Sequence, residues 1–376
     1  MSALPIARLF GFEIRVHVSW AIILAVIAVT VVTQVGTMAP ESSAALRWVL
    51  GSVVAGAFLL SALAHELGHA IAARRFGGPG KTVVIYFFGG AATPTLEMKT
   101  PREEVVAALA GPLVSLVIGA ILMAVAGLGT ALGGDVPEIV GQVALVVGVL
   151  NLALGLVNLL PAFPLDGGRV ARAIGWARTG EPEQGLRTAA RVGRWIGIGL
   201  GAMGVVLILT MDSADGLMVA LAGWFLVSSS RAVERTAAVD ALLRGLRVGD
   251  VMDREVKSVP AGLTLDTFAA QVLDSPGGSL PVVDGTNLVG VLGERQVRRV
   301  RRDKWSATRA GDLMTAAAGL PAIDPQTTLR AAIDHLHQMG LDGLPVLEGG
   351  SLAGVVTRRA VAEAIRVRAA ARAAVL

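Results

Sequence analysis

The sequence contains no cysteine, which excludes a disulfide framework, a thiolate metal site and a cysteine nucleophile. Charge is also scarce: only 16% of the 376 residues are Asp, Glu, Lys or Arg, against about 25% in a soluble domain. Hydrophobic residues make up 53% of the chain. The high hydrophobic fraction and the low charged fraction are typical of a membrane protein. Basic residues lie at the edges of apolar segments rather than along one stripe, so the net charge of +4 does not indicate nucleic-acid binding.

Three long segments lack charged residues altogether, at 16–40, 105–134 and 139–165. Each is longer than the roughly 20 apolar residues that cross a bilayer as a helix. Together with the other apolar stretches they predict a multi-pass α-helical membrane protein with about six transmembrane segments. We expect these segments at residues 18–36, 48–73, 105–130, 139–162, 195–211 and 216–230.

The distribution of Lys and Arg predicts the orientation of these segments in the cell membrane. Basic residues concentrate between the second and third segments and between the fourth and fifth, whereas the alternate connections are poor in them. Since basic loops remain cytoplasmic, both termini should lie in the cytosol. The amino terminus lacks the small-residue cleavage site of a signal peptide, and we expect it to be retained.

A repeat follows the membrane segments, where the composition becomes that of a soluble domain. Three motifs recur in the same order: Gly249–Met252 and Gly311–Met314, Leu280–Val283 and Leu344–Leu347, Gly290–Leu292 and Gly354–Val356. Two tandem copies of one small α/β unit explain this pattern. Each copy has an amphipathic helical stretch, at Leu265–Leu273 and Leu329–Met339. We therefore expect a membrane domain at 1–235 and a soluble domain at 236–376, with copies at about 246–305 and 308–368.

A possible metal site lies in the second apolar segment. His65, Glu66 and His69 form an HExxH pattern, and on a helix residues i and i+4 project from the same face. Zinc is the usual metal for such a pair, with the intervening Glu as general base. Short patterns also arise by chance, and a helical His is often only a packed residue. Ionisable groups inside an apolar membrane segment are costly unless paired or ligated, which favours a functional site.

A catalytic zinc needs three protein ligands, and the sequence predicts Asp166 as the third. The other histidines, His17, His335 and His337, lie outside the core of the membrane domain. Asp166 follows the fourth segment, where two prolines end the helix and two glycines permit close approach of the backbone to the site. His69 should lie about 7.5 Å inside the cytoplasmic edge, at a depth similar to that of Asp166. A solvated loop after a helix is the alternative.

At these residues the chain resembles the site-2 protease family of intramembrane zinc metalloproteases (peptidase family M50), in the bacterial and archaeal group with a carboxy-terminal pair of cystathionine-β-synthase-type (CBS) domains. The resemblance covers essentially the whole length. The matching features are the HExxH motif, the run Asn158–Gly168, and Ala110–Pro112 at the third segment. Each motif alone is common, whereas the first two in combination are highly specific.

The resemblance implies a zinc endopeptidase that cleaves within or near the transmembrane helix of a single-span membrane protein and so releases a regulatory domain. It implies His65, His69 and Asp166 as ligands of one zinc ion per subunit. Glu66 is implied as the base and Asn158 as the residue that stabilises the oxyanion. A side-chain amide can donate to a developing oxyanion, although Asn158 could instead form an interhelical hydrogen bond.

Another matching stretch, Tyr86–Ala91, lies between the second and third segments. A helical substrate cannot be cut until its backbone is exposed, and addition of a strand to a free sheet edge would hold it extended. We predict that this stretch forms such an edge. A membrane-dipping hairpin that only packs against the helices is the alternative.

In the soluble domain, the resemblance raises the binding of an adenine nucleotide. The family pattern has Thr or Ser after the Gly-Val strand and Asp three residues later. Copy two has Thr357 but Ala360, and copy one has Gly293 and Gln296. Thr357 is thus the one candidate contact, and the departures put nucleotide binding in doubt. Regulation or homodimerisation through the CBS pair is a further expectation.

A basic run after the first copy could face anionic membrane lipid, or it could be a solvated helix face. It consists of Arg298, Arg299, Arg301, Arg302 and Lys304. For the whole chain, the main alternative to a protease is a CBS-regulated membrane transporter or channel, in which the same His, Glu and Asp residues line an ion path. A non-catalytic membrane scaffold is the third alternative.

Overall fold

The computed structural model describes residues 3–77, 82–85, 98–211, 214–273, 279–285 and 287–373. The chain forms two compact units, Met1–Ala237 and Ala238–Leu376, and each is described by itself.

The first unit is a helical bundle with a small sheet. Its elements are β1 (Ala3–Leu9), β2 (Phe12–His17), α1 (Ser19–Met38), α2 (Ala44–Arg74), β3 (Thr82–Ile85), α3 (Pro101–Leu132), α4 (Asp135–Asn158), α5 (Asp166–Thr179), α6 (Pro182–Met211) and α7 (Ala214–Leu243). Within the described ranges, the six helices α1, α2, α3, α4, α6 and α7 are long and apolar enough to cross a membrane. The prediction of about six transmembrane helices is confirmed.

The helix ends follow local chemistry. Thr100 caps α3 by accepting a hydrogen bond from the Glu103 backbone N–H, and Pro101 begins the helix. The fourth apolar segment was expected to reach residue 162, but α4 ends at Asn158 and a turn containing both prolines follows. Helix α6 begins at Pro182, well before the expected residue 195. The prediction from hydropathy started too late because the first turns of the helix carry arginines.

Close backbone approach brings the membrane helices together. Helices α3 and α4 pack along glycines, and a Cβ at Gly129 would lie 2.5 Å from the carbonyl oxygen of Pro137. Small residues allow such contacts where lipid supplies no hydrophobic drive between helices. Helix α3 also packs against α2 and α5. It therefore lies at the centre of the elements that carry the HExxH motif and Asp166.

The sheet has the order β1-β2-β3, with β1 antiparallel and β3 parallel to β2. Its buried residues Phe12 and Val83 pack against Leu67, inside the HExxH motif, and so the sheet lies against this part of α2. The predicted substrate edge at Tyr86–Ala91 comes directly after β3 and lies outside the described residues.

The second unit contains the two sequence copies. Its elements are β4 (Val259–Pro260), α8 (Leu265–Leu273), β5 (Ser279–Asp284), β6 (Asn287–Gly293), α9 (Glu294–Val297), α10 (Ala310–Leu313), β7 (Thr315–Ala316), α11 (Leu329–Met339), β8 (Gly343–Glu348), β9 (Ser351–Thr357) and α12 (Arg358–Ala373). The helices expected at Leu265–Leu273 and Leu329–Met339 are confirmed. Strands β5 and β6 form one antiparallel hairpin, and β8 and β9 form its counterpart.

The packing units of this second domain differ from the sequence copies at 246–305 and 308–368. Strand β7, near the start of copy two, pairs with β6 of copy one. Conversely, Asp253 near the start of copy one bridges Val355 in β9 of copy two. The cores follow the same exchange, since Met252 lies in the core of copy two and Ala310 in that of copy one. Each packed unit therefore contains the first segment of the other copy.

Candidate metal centre

Three potential ligand atoms converge where α2 meets the start of α5. His65 Nε2 lies 3.2 Å from His69 Nε2 and 3.2 Å from Asp166 Oδ2, and His69 Nε2 lies 3.1 Å from Asp166 Oδ2. Among the described residues, these three form the one group of His, Cys, Asp or Glu that could hold a metal ion. Ligands at about 2.0 Å from a tetrahedral zinc are about 3.3 Å apart, so this spacing fits zinc.

The other nitrogen of each imidazole is held by α3. The Nδ1 of His69 is 2.7 Å from the carbonyl oxygen of Ala107, to which it can only donate. In neutral His69 the Nε2 therefore carries a lone pair and is the atom available to a metal. The Nδ1 of His65 is 2.9 Å from Oγ of Ser115, which is fully buried. Outer hydrogen bonds of this kind orient metal-ligating histidines.

Room for the His69 ring depends on Gly111 in α3. A Cβ at this position would lie 2.2 Å from His69 Nε2. Gly68, within the HExxH motif, makes a similar close approach, since its Cβ would lie 3.0 Å from the carbonyl oxygen of Ala110. The two glycines bring α2 and α3 close enough for the hydrogen bonds to the histidines.

Asp166 is the first residue of α5 and is largely buried. Burial raises the pKa of its carboxyl, but contact with His65 and His69 outweighs burial and holds the pKa well below its usual range. The carboxylate is therefore ionised, as a metal ligand must be.

The glycines after Asp166 were expected to let the backbone approach the metal site closely. Their close contacts are instead with the preceding turn. A Cβ at Gly167 would lie 2.3 Å from the carbonyl oxygens of Leu159 and Leu160. A Cβ at Gly168 would lie 2.8 Å from the backbone of Ala162. Both glycines thus let the turn fold back on itself. Their effect on the site is indirect, through the position of α5.

Glu66 follows His65 on α2, and both Glu66 and Asn158 lie outside the three-atom contact. The side chain of Glu66 is half-buried, and the titratable groups that act on it are His69, His65, Asp166 and Arg169. Asn158 ends α4, and its Nδ2 donates to the carbonyl oxygen of Leu154 in the same helix at 2.9 Å. The structure thus shows an intrahelical hydrogen bond for Asn158, rather than the interhelical one considered above.

Several polar contacts of the bundle were not predicted from the sequence. Ser115 and the Ala107 carbonyl are two of them. A third is Asn151, which is fully buried and donates from Nδ2 to Ser61 Oγ on α2 at 3.0 Å. The sequence does show that Asn151 and Ser115 are polar residues within uncharged segments. It does not show their hydrogen-bond partners, because those partners lie on another helix.

In the second unit, the candidate nucleotide contact already has a structural role. Thr357 Oγ1 accepts a hydrogen bond from the backbone N–H of Ala360 at 3.1 Å, at the start of α12. In copy one, Gln296 accepts a hydrogen bond from the backbone N–H of Gly293. The corresponding positions of the two copies are thus linked by hydrogen bonds of opposite direction.

Comparison with known proteins identifies both parts of the chain. Residues 53–149 and 130–200 match peptidase family M50, and residues 248–303 and 310–367 match the CBS domain. Rip3 of Mycobacterium tuberculosis, named as a zinc metalloprotease, is 34% identical over 368 residues, which cover 97% of this chain and 93% of that protein. The protein sll0528 of Synechocystis, likewise named, is 30% identical over 97% of this chain and 96% of that one.

The solved structure of the site-2 protease from Methanocaldococcus jannaschii is 24% identical, with a TM-score of 0.40, and the match covers 62% of this chain and 96% of that one. The match to the mycobacterial relative spans nearly the whole chain, and the three converging ligand atoms agree with a zinc metalloprotease. The chain belongs to peptidase family M50, as a multi-pass, site-2 protease-like zinc metalloendopeptidase with a carboxy-terminal CBS pair.

Proposed function

We propose that this protein cleaves single-span regulatory membrane proteins within their transmembrane helices, under the control of its CBS pair. In this proposal residues 1–235 form the protease and residues 236–376 the regulatory domain, with both termini in the cytosol. The convergence of His65, His69 and Asp166 within a membrane bundle is the observation that carries it.

The donor set suits one zinc ion held by these three residues. Two neutral imidazoles and an ionised carboxylate are common zinc ligands, and three protein ligands leave one position open. When bound, zinc polarises a carbonyl group and lowers the pKa of a water molecule to about 7. The fixed Nδ1 contacts of both histidines keep their Nε2 atoms directed at the site.

Glu66 and Asn158 supply the remaining chemistry. Glu66 accepts a proton from the attacking water as a new C–O bond forms at the scissile carbonyl. It then returns the proton to the amide nitrogen as the C–N bond breaks. Asn158 donates its second N–H to the developing oxyanion, because only one of its two N–H groups is needed for the bond to Leu154.

The substrate is a hydrophobic helix that must unwind locally before its backbone can reach the site. The segment Tyr86–Ala91, directly after β3, is the proposed edge that holds it extended. This proposal follows from the parallel pairing of β3 with β2, which presents a sheet next to the HExxH segment of α2.

Control by the CBS pair is proposed through an adenine nucleotide or through homodimerisation. Thr357 can contribute one hydroxyl contact, but Ala360 cannot contribute a carboxylate. Titration of AMP and ATP into the full-length protein and its Thr357→Ala variant tests the first route. If the wild type binds neither nucleotide, dimerisation is the remaining route of control. The mass of the detergent-solubilised protein measures it.

The test of the protease is Glu66→Gln in the full-length protein with a single-span membrane substrate. We expect the variant to keep its zinc, because all three ligands remain. Its cleavage rate should fall by about 10²–10⁴-fold, the range that a general base contributes. Equal cleavage by both proteins, or a wild type that holds no zinc, would refute the proposal. Ion flux through liposomes containing the protein would instead support the transport alternative.

A further inference from the structure

A buried carboxylate lies near the candidate metal centre but outside it. Glu104, in the first turn of α3, is 0% exposed, and its Oε1 lies 2.7 Å from Nη2 of Arg172 on α5. Both carboxylate oxygens are buried without a hydrogen bond among the described residues, so the contact with Arg172 is an ion pair by distance alone. A buried charge is destabilising unless it is paired, so Glu104 depends on Arg172. The pair therefore ties α5 to α3.

The same face of α3 supports the two histidines. Glu104, Ala107, Gly111 and Ser115 follow one another at spacings of three or four residues, so they form one stripe along the helix. Ala107 and Ser115 hold the histidine rings, and Gly111 makes room for His69. Glu104 extends the stripe to α5, which carries the third proposed ligand.

The third ligand needs such support more than the first two. His65 and His69 lie on one helix, and the geometry of α2 fixes their spacing. Asp166 lies on a different helix, so its distance from the histidines depends on how α5 packs. Arg172 follows Asp166 by roughly 9 Å along α5. Metal sites tolerate errors of only about 0.2 Å in ligand distance, so a small shift of α5 would disturb coordination.

We propose that Glu104 and Arg172 are positioning residues that hold Asp166 at the distance zinc requires. The inference rests on the proposed role of Asp166 as a ligand. It assigns the ion pair a function in metal affinity, in addition to any contribution to folding. The prediction is that zinc binding, rather than stability alone, depends on this pair.

The test compares zinc affinity in the full-length protein and its Glu104→Gln variant by competition with a chelator. We expect about 10- to 100-fold weaker binding in the variant, the range typical for losses in the outer shell of a metal site. The visible spectrum of the cobalt-substituted protein should also change, because it reports ligand geometry. Arg172→Lys, which keeps the charge, should fold and show a smaller loss. It provides the measurement if Glu104→Gln does not fold.

Glu103→Gln is the matched control. Glu103 lies in the same turn and loses the same charge, but its half-buried side chain accepts a hydrogen bond from the Lys99 backbone N–H and forms no described ion pair with α5. A lower melting temperature of the metal-free variants with unchanged zinc affinity and cobalt spectrum would assign the pair a structural role and overturn the inference.

The Asp166→Asn variant distinguishes failure of this inference from failure of the proposed function. If the wild type binds zinc and Asp166→Asn does not, the ligand assignment stands, and the variants of the pair decide the inference alone. If Asp166→Asn binds zinc as tightly as the wild type, the ligand assignment and the inference both fall.

Discussion

Replacement of Gly111 by alanine should remove zinc while leaving the bundle folded. The added Cβ would lie 2.2 Å from Nε2, 2.6 Å from Cε1 and 2.7 Å from Cδ2 of His69. Ordinary contacts begin at about 3.4 Å, so the ring must move by more than about 1 Å. The tolerance of a zinc bond is about 0.2 Å. Alanine also favours a helix over glycine by about 1 kcal/mol, so we expect α3 to form normally.

The measurement is the zinc content of the purified full-length protein, together with cleavage of a single-span substrate. We expect loss of stoichiometric zinc and at least a 100-fold decrease in cleavage, because a 1 Å misplacement alone can cause about that loss. Gly127→Ala is the matched control, since it changes the same residue type in the same helix where a Cβ meets nothing within 4 Å. A Gly111→Ala variant with wild-type zinc content and activity would refute the geometry described for His69.

Two further substitutions test other contacts. Ser115→Ala removes the Nδ1 partner of His65 and should weaken zinc binding by about 10- to 100-fold, as measured by chelator competition; unchanged affinity would show that the hydroxyl does not orient the ring. In the second unit, Gly354→Ala places a Cβ 2.8 Å from the carbonyl oxygen of Asp253, and it should destabilise the exchanged packing by about 1–3 kcal/mol. Urea unfolding measures this against Gly319→Ala, whose Cβ would meet nothing within 4 Å; equal stability of the two variants would contradict the exchange.

Local patterns in the sequence predicted the features that depend on neighbours along the chain. Six apolar helices follow from hydropathy, because each backbone polar group in a bilayer must be satisfied within its own segment. The common face of His65 and His69 follows from helical periodicity. The helices of the CBS pair follow from their amphipathic pattern. None of these features required knowledge of which elements pack together.

Helix α5 shows where local patterns were insufficient. Its start at Asp166 is followed by two glycines, which are poor helix formers, and no helix was predicted there. The helix forms because the turn before it folds back on Gly167 and Gly168, and because Arg172 pairs with buried Glu104. The glycine contacts are local, but Glu104 lies on α3, far from Arg172 in sequence, so no pattern within the segment contains the ion pair.

The CBS pair shows the same limit. The sequence repeat correctly indicated two similar copies, but each copy contributes its first segment to the core of the other. The periodicity within each copy does not show which copy its first segment packs against. Pairing of Asp253 with Val355, and of β7 with β6, decides between them.

The sequence by itself thus determined the class of protein, the number of membrane helices and the histidine pair, since spacing and hydropathy act within one segment. The tertiary structure decided how the site is supported. Only helix packing brings Asp166 to within 3.2 Å of both histidines and places the Ala107 carbonyl and Ser115 beside their rings. Hydrogen bonds and close approaches between helices depend on distances across the bundle, which no spacing along the chain encodes.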